Sequence, residues 1–341
     1  MIYRIRKKFG SPRLWRHLAG PIEPAEKYVV PTADGLSLAL WRIRPGGGVR
    51  RKAPVMLQHG LASNHLSFHL PGRSLAGWLA ERGHDVWLPE LRGHGSSLAH
   101  GYDWRIDDYL EFDLPAIVGA ILGHSEAEEL QWVGHSMGGI LLMCYGILHR
   151  DAPIQRGMTL GSALDYKVGH TGFSHLLKLR PIIERLVAIP YGTLVHLIAP
   201  AMGRGAIRAL EGFNAWPSNI DPAMARALHA RCFHTIPTSL LSSLATTFEP
   251  EGLCLKSGFR FMEAASDFPF PMQLIAGSRD AQVAVDAVLH TAELLGENAR
   301  VLVHGLDNGD ADEYGHWDLI LGCRAPQEVW PGIARWLEAE E

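Results

Sequence analysis

Short apolar runs alternate with longer stretches of helical spacing over most of the chain. Lys27–Pro31 and Leu36–Arg44 flank the turn signal Ala33-Asp34-Gly35 and predict a β-hairpin, which Pro45-Gly46-Gly47-Gly48 closes. Val55–Gln58 reads as a short apolar strand ending at His59-Gly60, Arg73–Arg82 has helical periodicity, and Asp85–Leu88 is again a strand. Asp108–Leu122 predicts a helix with Asp107 as its N-cap, and Leu130–Val133 a strand. Met137–His149 predicts a helix and Gly157–Leu160 a strand. Alternation of this kind implies parallel strands joined by crossover helices.

From about residue 166 to 270 the alternation stops. Helical, proline-punctuated segments without clear strands take its place, one of them lined by Leu176, Leu177, Leu179, Ile182, Ile183 and Leu186. The earlier pattern resumes with Met272–Ala276 (strand), Ala284–Leu295 (helix), Arg300–Val303 (strand) and Pro326–Leu337 (helix). The sheet elements on either side are incomplete alone. The expected organisation is therefore one α/β core over 27–165 and 271–341, a helical cap inserted at 166–270, and an N-terminal arm at 1–26.

The chain has 341 residues, 47% hydrophobic and 20% charged, a globular composition that excludes collagen-like, disordered and small disulfide-scaffold classes. A net charge of −4 argues against a general nucleic-acid binder. No uninterrupted apolar run approaches the roughly 18 residues of a membrane-spanning helix. Cys144, Cys232, Cys254 and Cys323 form no C-x-x-C or C-x-x-H pair, so structural zinc is not expected and free thiols are; Cys232–Cys254 is the one pair to test as a bridge. The first twenty residues interleave Arg4, Arg6, Lys7, Lys8, Arg13 and Arg16 with apolar side chains such as Phe9 and Trp15, without an acid. Such an arm suits an anionic membrane surface, and equally a fold-back onto the domain with its charges in water. It holds no signal-peptide apolar stretch, which makes the cytoplasm the expected compartment, with peripheral membrane contact through residues 1–20 as the alternative.

The sharpest feature is Gly134-His135-Ser136-Met137-Gly138-Gly139, between an apolar strand and an apolar helix. That is the strand–turn–helix setting of a G-x-S-x-G nucleophile elbow. Ser136 is the candidate nucleophile, projecting at the carboxyl edge of the sheet, where open α/β sheets place their ligands. The Met137 N–H, at a helix start, is one candidate oxyanion donor; the Leu61 N–H, in Gln58-His59-Gly60-Leu61, is the other. In this fold order the acid follows the serine and the base comes last. Asp280, behind the strand Met272–Ala276, is the candidate acid, with Asp165 as alternative; His316, in Tyr314-Gly315-His316-Trp317-Asp318, is the candidate base, with His304 as runner-up. His59 and His94 read as structural loop residues. The acidic stretch 307–313 departs from a calcium-loop spacing, and no dinucleotide or P-loop motif is present, so no cofactor or metal is expected.

With these residues in place the chain resembles the α/β hydrolases, and within them the acid lipase branch of gastric and lysosomal type. The resemblance is carried by Leu57-Gln58-His59-Gly60-Leu61, Asp113-Leu114-Pro115-Ala116, Val133-Gly134-His135-Ser136, Tyr314-Gly315-His316-Trp317-Asp318 and Ala325-Pro326-Gln327-Glu328-Val329. Gly138-Gly139 and Arg92-Gly93-His94-Gly95 are similar instead to bacterial-type esterases and monoglyceride lipases. The resemblance implies the same nucleophile, acid, base and oxyanion donors. The expected function is a serine carboxylic-ester hydrolase acting through an acyl-enzyme on small-molecule, lipid-like or medium- to long-chain acyl esters. Thioesterase, lactonase and acyltransferase chemistry use the same residues, and a non-catalytic scaffold binding a lipid or protein is the alternative of another class.

Overall fold

The computed structural model describes residues 15–23, 25–46, 53–97, 99–173, 177–178 and 180–339. Residues 1–14, most of the predicted basic arm, lie outside the described residues, as do Leu176 and Leu179 of the apolar line and Gly47-Gly48 of the glycine run. An eight-stranded sheet forms the centre, in the order β1-β2-β4-β3-β5-β6-β9-β10. Its strands are β1 (Glu26–Pro31), β2 (Ser37–Ile43), β3 (Val55–Gln58), β4 (Val86–Glu90), β5 (Leu130–His135), β6 (Ile154–Leu160), β9 (Met272–Gly277) and β10 (Ala299–His304). β1 pairs antiparallel with β2, as the hairpin pattern predicted; β2 also pairs antiparallel with β4, and the remaining pairs are parallel.

Alternate residues of the central strands feed two cores, one on each face of the sheet. On β3 and β5, Met56 and Trp132 pack into one core while Val55, Leu57 and Val133 pack into the other. Strands buried on both faces read as continuous apolar runs, which is why the sequence located β3 and β5 closely. Helices cover both faces: α1 (Leu75–Glu81), α2 (Leu114–Ser125), α3 (Met137–Leu148), α8 (Val285–Leu295) and α9 (Trp330–Glu338).

Between β6 and β9 the chain contributes α4 (Tyr191–Ile198), α5 (Arg208–Asn214), α6 (Pro222–Arg231) and α7 (Thr238–Ala245). This region was expected to lack strands, yet β7 (Ala188–Ile189) and β8 (Ile236–Pro237) form a two-residue antiparallel ladder there. Pairs this short carry no period-two pattern to read.

Two further expectations are corrected. Asp107 does not cap the helix predicted at 108: the helical turn begins at Ile106, the Asp108 carboxylate accepts the Arg105 N–H, and Asp107 instead accepts the Lys256 N–H. That turn then widens into a π-helical stretch, Tyr109–Asp113, before α2 begins. The buried Asp113 carboxylate is thereby aimed at Arg92, accepting from both its backbone N–H and its guanidinium at 2.8 Å. The predicted helix Pro326–Leu337 is broken at Val329 into Ala325–Glu328 and α9. Pro331 lacks the N–H that a continuous helix would need there.

Register fixes where the site forms. Gln58 pairs with Gly134, His135 with Leu160, Leu160 with Ile275, and Gly277 with His304. The carboxyl ends of five parallel strands are therefore level, and the loops that leave them share one edge.

Candidate active site

The elbow leaves β5 at His135 and enters α3 at Met137, with Ser136 held at a strained positive φ (φ 53°, ψ −121°). Side chains at either flanking position would collide with backbone: a Cβ on Gly134 overlaps the Gly138 carbonyl, and one on Gly138 overlaps the Gln58 carbonyl. The motif's glycines are thus demanded by the approach of helix to strand. The Ser162 hydroxyl donates to the Ser136 carbonyl at 2.8 Å and braces the turn from the β6 side.

Ser136, Leu61, Met137 and His316 all line one cavity of about 620 Å³. That size suits a ligand of drug or acyl-lipid dimensions. Its remaining wall is mostly apolar and includes Phe173, Leu210, Phe213, Phe233, Leu244 and Phe248. The Gly60 backbone passes so close to the elbow that a methyl there would stand 2.9 Å from Ser136 Cβ. Neither the Leu61 nor the Met137 amide makes a hydrogen bond to another described residue. The Met137 amide belongs to the open first turn of α3, where the helix dipole favours negative charge.

His316 and Asp280 form a buried pair, Nδ1 to Oδ2 at 2.7 Å. The other carboxylate oxygen, Oδ1, accepts the Gln282 and Val283 amides at 2.7 and 3.0 Å, which fixes the plane of Asp280. With Nδ1–H donated to Asp280, Nε2 is left as the basic atom of His316. The alternatives lie elsewhere. Asp165 accepts the Lys167 amide and faces Lys167 and His290; His304 is paired with Asp310 at 3.0 Å. His59 and His94 are buried under the loop edge, their rings 5.1 Å apart, and burial pushes them down to about 3 and about 4. His94 does not line the cavity.

Sequence reasoning missed two groups. Asp318 is fully buried and accepts the Gly315 amide at 2.8 Å and the Trp216 amide at 3.2 Å. Burial raises it to about 7 against the pull of those donors. Asn219 donates to the Glu313 carbonyl and accepts the Arg324 amide, so residues 214–219 clasp the loop that carries His316. The second is His135, whose ring lies against His316. Neither role has a sequence signal, because both depend on distant chain segments meeting. Among the described residues no three His, Cys, Asp or Glu side chains are grouped to hold a metal. All four cysteines are free, including Cys232 and Cys254. No described helix is long and apolar enough to cross a membrane.

Human Lipase member M is 39% identical over 365 aligned positions, spanning 93% of this chain and 84% of that protein. The chain belongs to the α/β-hydrolase lipase family. Residues 53–198 match the alpha/beta hydrolase fold family, and residues 23–71 match the partial alpha/beta-hydrolase lipase region. Mouse Lipase member K is 41% identical over 132 residues, 34% of this chain and 33% of that protein, so that match spans about a third of its length. Among solved structures, a thermophilic esterase from Thermogutta terrifontis has the same fold, with a TM-score of 0.63, 16% identity, and coverage of 92% of this chain and 98% of that one. For this lipase-family chain, the resemblance read from the motifs and the fold expected from the pattern both hold.

Proposed function

We propose that this chain hydrolyses carboxylic esters with medium or long acyl chains by a serine mechanism. The observation that carries the reading is the Asp280–His316 pair, whose imidazole lines the same apolar cavity of about 620 Å³ as Ser136. His316 Nε2 takes the Ser136 proton as Oγ attacks the ester carbonyl. Asp280 holds the tautomer and stabilises the imidazolium. The Leu61 and Met137 amides bind the tetrahedral oxyanion, each such donor being worth about 3–4 kcal/mol. His316 returns the proton to the leaving alcohol, and the C–O bond to it breaks. Water, deprotonated by His316, then cleaves the acyl-enzyme. The apolar wall supplies the acyl site.

The test is hydrolysis of p-nitrophenyl esters from acetate to palmitate by the wild type and Ser136→Ala. Activity should peak beyond the acetate and fall at least 1000-fold in the variant. Equal activity of the two proteins refutes the serine mechanism. Four free cysteines fit a reducing compartment, and we place the enzyme in the cytoplasm. We propose that the basic residues preceding Arg16–Ala19, a turn whose Ala19 is buried against the domain, contact anionic membrane surfaces. Flotation with phosphatidylserine liposomes that is unchanged on deleting them refutes that contact.

A further inference from the structure

We infer that His135 is a positioning residue for the catalytic base: from the elbow it holds the main chain of His316 and sets that ring's place beside Ser136. The inference rests on the serine-hydrolase reading above. His135 ends β5 next to Ser136 and is fully buried. Its Nε2–H donates to the His316 carbonyl at 3.2 Å. Its ring centre lies 4.5 Å from that of His316 and 4.5 Å from that of Trp317. The oxyanion-side strand end is equally close: a Cβ on Gly60 would stand 3.1 Å from the His135 carbonyl and 3.5 Å from its Nδ1. One residue thus touches the elbow, the loop leading to Leu61, and the base.

The ring works as a neutral wedge. With Nε2–H committed to a carbonyl, Nδ1 is the lone-pair nitrogen, buried and without a hydrogen-bond partner among the described residues. A second proton there would be a buried N–H without an acceptor. Burial, then the neighbouring His316, hold the group well below the ordinary histidine range. Neutrality matters because His316 becomes an imidazolium in the transition state, and a second cation 4.5 Å away would oppose it.

His135→Phe keeps a ring in the wedge and loses the donor; His135→Gln restores an N–H donor. Two readouts apply. One is kcat and KM for p-nitrophenyl butyrate, per active site. The other is the rate at which a fluorophosphonate labels Ser136, a step in which the Oγ–P bond forms, fluoride leaves and His316 accepts the proton. The Phe variant should lose roughly 10- to 100-fold in kcat and in labelling rate, with KM within about threefold, and Gln should recover most of it. Wild-type rates in the Phe variant, or a Gln variant as slow as Phe, overturn the proposal. Should the Phe variant not fold, His135→Asn, whose amide is too short to reach, takes its place beside Gln, and equal rates overturn the proposal. A wild type that labels but hydrolyses no ester refutes the ester reading alone, and the labelling rates still decide the role of His135.

Discussion

Replacing Gly161 by alanine sets a methyl group against the Asp280–His316 pair. Gly161 follows β6 with φ +59°, and its amide donates to the Ile275 carbonyl at 2.9 Å, so the backbone is tied to β9 and cannot swing away. The new Cβ would stand 3.0 Å from Asp280 Oδ2 and 3.0 Å from His316 Nδ1, whereas ordinary contact begins at 3.4 Å. Both ends of the hydrogen bond must therefore yield by about 0.4 Å. A left-handed alanine costs about 1–2 kcal/mol and crowding a packed site about 1–3 more. Misplacement by about 1 Å can cost roughly 100-fold in rate, so this smaller shift predicts a kcat loss of about 5- to 10-fold with KM unchanged. Gly35→Ala is the control: it has φ +84°, nothing within 4 Å of its Cβ, and a place in the β1–β2 turn. It should lose about 1–2 kcal/mol and keep its kcat. The assay is kcat on p-nitrophenyl butyrate, corrected by active-site titration, alongside urea melts. A Gly161→Ala enzyme with wild-type kcat per active site would show that the pair tolerates displacement, and would refute the reasoning.

Asp280→Asn keeps the size of the acid but removes the charge that holds the His316 tautomer; kcat should fall about 10,000-fold with little change in KM, and retention of a tenth of the activity points to another acid. Stability should fall in mild acid. Burial pushes His59, His94 and His229 down to about 3, about 4 and about 4, so the unfolded chain, titrating near 6.5, takes up protons first as the pH drops. Asp113 and Asp318, raised by burial to about 6 and about 7, act in the opposite sense and gain stability as the pH falls through those values. With His135 also driven down, the histidines prevail, and urea melts should lose on the order of 2 kcal/mol between pH 7 and pH 5.5. A flat or rising stability over that range sinks the balance.

What the sequence made legible was whatever local chemistry determines. β3 and β5 are apolar on both faces and end at glycine-bearing turns, so their positions follow from composition alone. Ser136 is legible because the elbow needs its flanking glycines, and Asp280 and His316 because each sits in the loop behind a readable strand. The rest depended on tertiary partners. The π-helical stretch at Tyr109–Asp113 follows from the need of Asp113 to meet Arg92, twenty-one residues earlier. Asp107 looked like a cap because Asp is a good one, but a carboxylate one residue later reached the Arg105 amide. Asp318 has no reading of its own in the sequence beyond closing the Tyr314–Asp318 motif. Its partner at Trp216 is 102 residues away in sequence, and no periodicity could have joined them.

That clasp makes the acyl site and the base mechanically unequal neighbours. α5 lines the cavity with Leu210 and Phe213 and runs directly into Asn214, whose carbonyl accepts the Trp317 amide at 2.8 Å. Within five residues the same segment reaches Trp216 and Asn219, which hold Asp318, Glu313 and Arg324. α7 lines the cavity with Leu241 and Leu244, and its own side-chain bonds run to Tyr102, Trp104 and Ile106, not to the base loop. Narrowing the cavity from the two sides should therefore have different consequences. Leu244→Trp fills acyl volume and shifts the ester optimum to shorter chains, with kcat on the butyrate within about twofold of wild type. Leu210→Trp shifts the optimum too, but strains α5 against the clasp and lowers kcat on every chain length by about 10-fold, since displacement of the base is independent of the acyl group. The p-nitrophenyl series, read as kcat and KM separately, distinguishes them. Identical kcat profiles for the two variants would mean that the clasp absorbs the strain and that the wall and the base are independent.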